Sequence, residues 1–86
     1  MYEIVFTKRA KADIEKLKKN GLDKKAKNLI TVLKENPYQT PPSYMKLKGD
    51  FVGAFSRRII IQHRIVYQVN DEKKIVKIIL VYSHYG

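Results

Sequence analysis

The spacing of the apolar residues changes at Pro37, and this change constrains the fold more than any other feature of the chain. Between Lys8 and Pro37, apolar residues recur every three or four positions, which predicts two helices joined as a hairpin. After it, alternating and β-branched runs predict strands. The helices are expected at Lys8 to about Asn20 and at Asp23 to Asn36, and the strands at Tyr2–Phe6, Lys46–Lys48, Ala54–Ile60, His63–Asn70 and Lys74–Tyr82.

The order of these elements, β-α-α-β-β-β, predicts an α+β fold in which the helical hairpin covers one face of a mainly antiparallel sheet. Thr7 and Asp23 are the expected N-caps, and Gly21 is the expected C′ residue of the first helix. The 86 residues allow one modest core, so we expect a single domain, residues 1–86. The apolar stripes expected to face the sheet are Ala10, Ile14 and Leu17 in the first helix and Ala26, Leu29, Ile30 and Leu33 in the second.

Net charge limits the kinds of partner. Eighteen Lys and Arg residues against eight Asp and Glu give a net charge of +10, which favours a polyanion, an acidic protein, or both. The alternative is that the helical lysines only keep the protein soluble.

The chain has no cysteine, which excludes disulfides and thiolate metal sites and is compatible with a cytoplasmic location. No membrane span is expected, since Lys77 interrupts the longest apolar run, and Met1–Phe6 is too short for a signal peptide.

Arginine occurs three times in the predicted strands, at Arg57, Arg58 and Arg64. A sheet fixes the direction of a side chain, so arginines in adjacent strands can be aimed at one phosphodiester. The alternative for each is a surface cation paired with Asp50 or Glu72. The sides taken by Arg57 and Arg58 depend on strand register, which the sequence does not fix. In the strand from His63, alternation predicts that one face carries His63, Ile65, Tyr67 and Val69 and the other carries Arg64, Val66 and Gln68. In the last strand, it predicts that one face carries Val76, Ile78, Leu80 and Tyr82 and the other carries Ile75, Lys77, Ile79 and Val81.

The histidines limit the possible chemistry. Two histidines, no cysteine and no paired carboxylates do not suit a zinc or two-metal nuclease. We therefore expect no metal and no cofactor, so that any RNA cleavage would be metal-independent. In such a reaction the 2′-hydroxyl loses a proton and attacks phosphorus, cations stabilise the phosphate, and an acid protonates the leaving 5′-oxygen. His63 is expected to be a ring partly buried between strands, whereas His84 is either part of a terminal tail or that acid.

Three segments, Gly53–Ile59 (GAFSRRI), Gln62–Tyr67 (QHRIVY) and Ser83–Tyr85 (SHY), resemble the YoeB/Txe branch of the RelE-type toxins of bacterial type II toxin–antitoxin pairs. The resemblance extends over the whole chain, and the three segments together are quite specific to that branch. It implies a RelE-like fold and a small endoribonuclease, an mRNA interferase, that acts in the ribosomal A site. It also implies an antitoxin whose acidic segment covers the site. A homodimer is a further possible assembly.

The resemblance assigns roles by position. Arg64 corresponds to the arginine that stabilises the phosphate, His84 to the general acid, and Tyr85 to the tyrosine that helps orient the RNA. Four basic residues lie where the family holds the RNA backbone, namely Lys46, Lys48, Arg57 and Arg58.

Met45 stands where the family pattern usually has the glutamate that serves as general base. A thioether cannot accept a proton, so the base step is expected to be slower by roughly 10²- to 10⁴-fold if nothing substitutes. One explanation is attenuation, natural or deliberate, of an otherwise toxic nuclease. The other is that Lys46 or Lys48 acts as the base, because clustered cations favour a neutral amine.

Two classes of function remain open from the sequence. The first is a ribosome-dependent endoribonuclease toxin. The second is a non-catalytic basic module that binds RNA or an acidic antitoxin and acts in transcriptional autoregulation. The net charge and Met45 both suit the second class as well.

Overall fold

A computed structural model describes residues 1–41, 43–60 and 63–83. The elements are β1 (Glu3–Phe6), α1 (Lys8–Lys19), α2 (Asp23–Glu35), β2 (Tyr44–Lys46), a 3-10 turn (Gly49–Phe51), β3 (Phe55–Ile60), β4 (His63–Asn70) and β5 (Ile75–Ser83). One sheet of five strands has the order β1-β5-β4-β3-β2. Its β1–β5 pair is parallel and the other pairs are antiparallel. The predicted α+β fold with a mainly antiparallel sheet is confirmed.

The ends of α1 follow from the residues predicted to cap it. Thr7 Oγ1 accepts a hydrogen bond from the Ala10 amide at 3.0 Å. Gly21 has a φ of +71°, a conformation that costs a residue with a Cβ about 1–2 kcal/mol. This conformation turns the chain so that the Leu22 amide donates to the Leu17 carbonyl at 2.9 Å. The result is a Schellman motif, which satisfies the last carbonyls of the helix.

Two predicted element boundaries were wrong. Leu22, not Asp23, is the N-cap of α2, because the turn between the helices is so short that Leu22 both closes α1 and precedes α2. Asp23 instead lies in the first turn, where its charge suits the helix dipole. The short strand predicted at Lys46–Lys48 lies two residues earlier, at Tyr44–Lys46. The Tyr44 ring packs edge-on against Phe55, with centroids 5.4 Å apart, which favours this register.

The sheet has one face covered by the helices and one face without them. The predicted apolar stripes of α1 and α2 pack on the covered face and are confirmed as core. That core contains Ala10, Leu17, Ala26, Leu29, Leu33, Ile65, Tyr67, Val76, Ile78 and Val81 as buried residues. A smaller cluster on the other face contains Ala54, Val66 and Leu80, with Leu47 and Ile79 packed against it.

A β-bulge in β5 overturns the strict alternation predicted for that strand. Ile79 is an extra residue, because Ile78 and Leu80 pair with consecutive residues of β4. The extra residue moves Leu80 to the uncovered face and brings Val81 to the helix-side core. The prediction that Leu80 shares a face with Ile78 was therefore wrong.

Helix α1 supplies hydrogen-bond partners to this bulge. The Thr7 hydroxyl donates to the Ile79 carbonyl, and Asp13 Oδ2 accepts from the Val81 amide at 3.0 Å. Asp13 also lies 3.6 Å from Arg9 Nε in an i, i+4 ion pair. The backbone groups displaced by the bulge are thus satisfied by the helix that packs on it.

Candidate nucleic-acid site

The uncovered face carries a groove on the side formed by β2, β3 and β4. Strand register places Met45 beside Ser56, and Arg58 beside Arg64. The groove has a volume of 430 Å³ and is lined by Ser43, Tyr44, Met45, Arg58, Ile59 and Arg64. Three residues predicted for the site, Met45, Arg58 and Arg64, are therefore brought together by the sheet.

Arg64 is held in a fixed orientation by β3. Its Nε donates to Ser56 Oγ at 2.6 Å, and Nη2 lies 3.5 Å from the Ser56 carbonyl. Ser56 is fully buried, so it is a rigid acceptor. Among the described residues neither Arg58 nor Arg64 forms an ion pair, which disagrees with the alternative of pairing with Asp50 or Glu72. The groove therefore contains two cationic side chains that no carboxylate within residues 1–41, 43–60 and 63–83 neutralises.

Met45 lies on the same face as Arg64, and its side chain is 56% exposed. Lys46 follows it in β2 and pairs with Phe55, whose ring contacts the helix-side core. Alternation therefore directs Lys46 to the face opposite Met45. This arrangement does not support Lys46 as a base beside Arg64. Lys48 is exposed and lies beyond the end of β2.

Arg57 is buried, with no exposed surface. Its Nε donates to the Tyr67 hydroxyl at 2.8 Å and its Nη2 to the Pro37 carbonyl at 2.8 Å. The guanidinium carbon lies 4.9 Å from the centre of the Tyr44 ring, in a cation–π contact. The prediction that Arg57 holds the RNA backbone directly does not agree with this burial, because the pleat turns its side chain away from the groove.

Two of the partners of Arg57, Tyr44 and Tyr67, belong to a cluster of aromatic rings. Tyr38 and Tyr44 pack edge-on against Phe55, and Phe55 lies 5.7 Å from the Tyr67 ring. Burial raises the pKa of the Tyr67 hydroxyl, and the hydrogen bond and charge of Arg57 oppose that increase. Sequence reasoning missed this aromatic cluster. The available signal was an aromatic residue in each of β2, β3 and β4, but only the strand register brings the rings together.

The two histidines differ in what the structure describes. His63 is buried, on the same face of β4 as Ile65, which confirms the expectation of a ring between strands. Its backbone pairs with Ser83, the last residue of β5. His84 and Tyr85 lie outside the described residues.

A second polar cluster, which sequence reasoning also missed, joins three segments at the β4–β5 turn. Tyr2 and Tyr38 donate to the two carboxylate oxygens of Asp71, each at 2.7 Å. The hydrogen bonds from Tyr38 and Tyr2 lower the pKa of Asp71. Burial and the bond to Asp71 raise the pKa of Tyr38, and the bond to Asp71 raises that of Tyr2. The cluster ties the N-terminus and the segment after α2 to the turn.

Residues 1–41, 43–60 and 63–83 contain neither a metal-binding cluster nor a membrane-spanning helix. No group of three or more histidine, aspartate or glutamate side chains there is arranged to hold a metal ion. Neither helix is long and apolar enough to cross a membrane.

Comparison with protein families matches residues 6–85 to the YoeB-like toxin of bacterial type II toxin–antitoxin systems. The chain belongs to this family. The relationship proposed from the three sequence segments is thereby confirmed. A search of curated proteins finds no match for this YoeB-like toxin.

Solved structures resemble the YoeB-like chain over almost its whole length. The YoeB/ParE toxin from Agrobacterium tumefaciens is 30% identical, with a TM-score of 0.84 over 96% of this chain and 99% of that one. A chain of the heterotetrameric YoeB–YefM toxin–antitoxin complex from Staphylococcus aureus is 31% identical, with a TM-score of 0.80 over 99% of both chains. YafQ from E. coli, at 18% identity and a TM-score of 0.81 over 98% of this chain and 94% of that one, shares the fold.

Proposed function

We propose that this YoeB-like toxin is a metal-independent endoribonuclease that cleaves messenger RNA in the ribosomal A site, and therefore acts in the cytoplasm. The observation that carries the proposal is the position of Arg64, whose guanidinium is fixed on Ser56 and lines a groove with Arg58. Such a pair of cations suits the extra negative charge that develops on a phosphate during cleavage. The family resemblance supports the same activity.

The proposed reaction needs two proton transfers and one exchange at phosphorus. A base removes the proton of the 2′-hydroxyl, and the oxygen then attacks the adjacent phosphorus. The 5′-oxygen leaves with a proton from His84, so that the products are a 2′,3′-cyclic phosphate and a 5′-hydroxyl. Arg64 stabilises the charged phosphate, and Tyr85 orients the RNA. His84 directly follows Ser83, which pairs with His63, the neighbour of Arg64 in β4.

In the proposed reaction, deprotonation of the 2′-hydroxyl is the step for which this sequence lacks the usual residue. Met45 occupies the groove on the same face as Arg64 but offers no proton acceptor. Lys46 is directed to the other face of β2. We infer that cleavage is attenuated, with the 2′-hydroxyl deprotonated by solvent at a reduced rate. Lys46 and Lys48 contribute to RNA binding from outside the groove.

An acidic antitoxin is the proposed protein partner. The YoeB toxin from Staphylococcus aureus was solved with YefM and also as a dimer. A net charge of +10 would attract an acidic segment, which could fold on contact with the basic face. We include a homodimer among the proposed assemblies, on the basis of that dimer.

The thioether of Met45, which offers no proton acceptor, favours one alternative, a non-catalytic module that binds RNA or an antitoxin and takes part in autoregulation. Expression of the chain without antitoxin separates the two functions. In Met45→Glu, where the general base is restored, the nuclease predicts growth arrest with cut messenger, and loss of both when Arg64→Ala or His84→Gln is added. Lys34→Gln, at an exposed position of α2 away from the groove, is the matched control and should remain toxic. Tolerated expression with intact messenger would instead support the binding module.

A further inference from the structure

A second groove adjoins the groove that contains Met45, Arg58 and Arg64, which we call the site groove. It has a volume of 310 Å³, at the small end of the roughly 300–1,000 Å³ range of ligand clefts. Its lining residues are Lys25, Asn28, Leu29, Val32, Arg58 and Ile59. Arg58 and Ile59 also line the site groove. The two grooves are therefore adjacent and share one wall.

The end of β3 explains why the two grooves meet. The pairing of β2 with β3 stops at Arg57, so that Arg58–Ile60 form an open edge on that side of the sheet. The register of β3 with β4 also shifts between Arg58 and Ile60. Arg58 is exposed at this edge and can be reached from both faces. A chain lying in the site groove can thus pass over Arg58 toward α2.

Helix α2 contributes both polar and apolar side chains to this second groove. Its four lining positions follow the i, i+3, i+4, i+7 spacing of one helical face, in the order Lys25, Asn28, Leu29 and Val32. Lys25 and Arg58 are exposed cations, and no carboxylate is among the lining residues that the structure describes. Apolar side chains and one amide lie between them.

We propose that this second groove binds a nucleotide that flanks the scissile linkage, with Lys25 on its phosphate and Asn28 on its base. A nucleotide combines a charged phosphate, polar base edges and apolar base faces, and the groove offers a partner for each. The inference rests on the proposed nuclease function and extends the path of the RNA strand from Arg64 over Arg58 to α2. Asn28 is then a residue that senses the identity of the flanking nucleotide.

Binding of short, non-cleavable single-stranded RNAs to the full-length chain tests this path. The probes are fluorescent 2′-fluoro oligonucleotides of two and eight nucleotides, measured by anisotropy at several salt concentrations. Lys25→Gln should weaken binding of the longer RNA about three- to tenfold and reduce the slope of log K against log salt by about 0.7, which corresponds to one phosphate contact. The two-nucleotide RNA, which contains only the linkage expected at Arg64, should bind Lys25→Gln as well as it binds the parent.

Lys24→Gln is the matched control, because Lys24 is also exposed on α2 but does not line the groove. Equal effects of Lys24→Gln and Lys25→Gln would overturn the inference, because the contribution would then be general charge. Asn28→Ala should weaken binding of the longer RNA. An abasic site at the flanking position should remove the difference in affinity between parent and variant. No effect of Asn28→Ala on either RNA would also count against the groove.

Arg64→Ala separates failure of the groove from failure of the nuclease. It should weaken the binding of RNAs of both lengths. If it weakens the binding of neither, the proposed function is wrong, whatever the effect of Lys25→Gln. If Arg64→Ala weakens both while Lys25→Gln changes neither, the groove inference alone is wrong. A loss of binding to an acidic peptide such as deca-glutamate in Lys25→Gln, without loss of RNA binding, would assign the groove to a protein partner and overturn the inference.

Discussion

Arg57 and Arg58 are neighbours in sequence but lie in opposite environments. Arg57 is buried against Tyr67 and Pro37, whereas Arg58 is exposed at the rim of the groove. The difference arises because successive side chains of a strand point to opposite faces. The face of Arg64 could be predicted from alternation within its own strand. That of Arg57 could not, because it depends on how β3 pairs with β2 and β4.

Arg57 should therefore contribute to stability more than its neighbour does. Arg57→Ala removes a buried guanidinium and leaves a cavity beside the Tyr67 hydroxyl and the Pro37 carbonyl. We expect it to lower the free energy of unfolding by about 2–4 kcal/mol. Arg58→Ala is the matched control and should change it by less than about 0.5 kcal/mol. Urea denaturation of both variants measures the difference, and equal effects would contradict the structural role of Arg57.

The Tyr2–Asp71–Tyr38 cluster predicts a pH dependence of stability. Asp71 has a lowered pKa, so its contribution is present above the ordinary value of 3.8 and is lost as pH falls through its folded value. Tyr38 has a raised pKa, so its contribution is present below the ordinary value of 10.0 and is lost as pH rises through its folded value. The cluster should stabilise the fold between about pH 4 and pH 10.

Melting temperatures of the parent and of Asp71→Asn test this prediction. At pH 7 the variant should melt at a lower temperature, because it lacks the charged acceptor. Below about pH 4 the difference should shrink, since the parent carboxylate then becomes protonated. A difference that stays constant from pH 7 to pH 2 would show that ionisation of Asp71 has no part in it.

At the scale of elements, the bulge in β5 decides which residues form the core beyond Ile78. The helical stripes were predictable because their period is repeated over several turns of each helix. The bulge was not, because one extra residue in the apolar run Ile75–Val81 leaves no distinct signature in the sequence. Its location is instead visible in the partners that α1 supplies, the Thr7 hydroxyl and the Asp13 carboxylate.

Asp13 should stabilise the bulge through the Val81 amide. Asp13→Ala leaves that amide without the acceptor it has in the structure, which should cost about 1–3 kcal/mol of unfolding free energy and speed hydrogen exchange at Val81. Asp13→Asn keeps an oxygen acceptor and should retain most of the protection. Glu15→Ala, an exposed substitution on the same helix, is the control for loss of a carboxylate. Equal protection of Val81 in Asp13→Ala and the parent would refute this role.

At the scale of the whole molecule, most of the net charge does not lie at the groove. Helices α1 and α2 together hold ten Lys and Arg residues and four Asp and Glu, a net of +6 out of +10. Composition therefore indicated a polyanionic or acidic partner but could not locate its site. The candidate site follows from the sheet, which places Met45, Arg58 and Arg64 around one groove.

We propose that this groove is the cleavage site and that Met45 limits the rate of cleavage. The decisive experiment is single-turnover cleavage of ribosome-bound messenger RNA by the parent, by Met45→Glu and by the double variant Met45→Glu/Arg64→Ala. We expect Met45→Glu to cleave roughly 10²- to 10⁴-fold faster than the parent, with a 2′,3′-cyclic phosphate product and no sensitivity to a chelator. The double variant should lose that gain. A Met45→Glu protein no faster than the parent, or a double variant as active as Met45→Glu, would contradict the account.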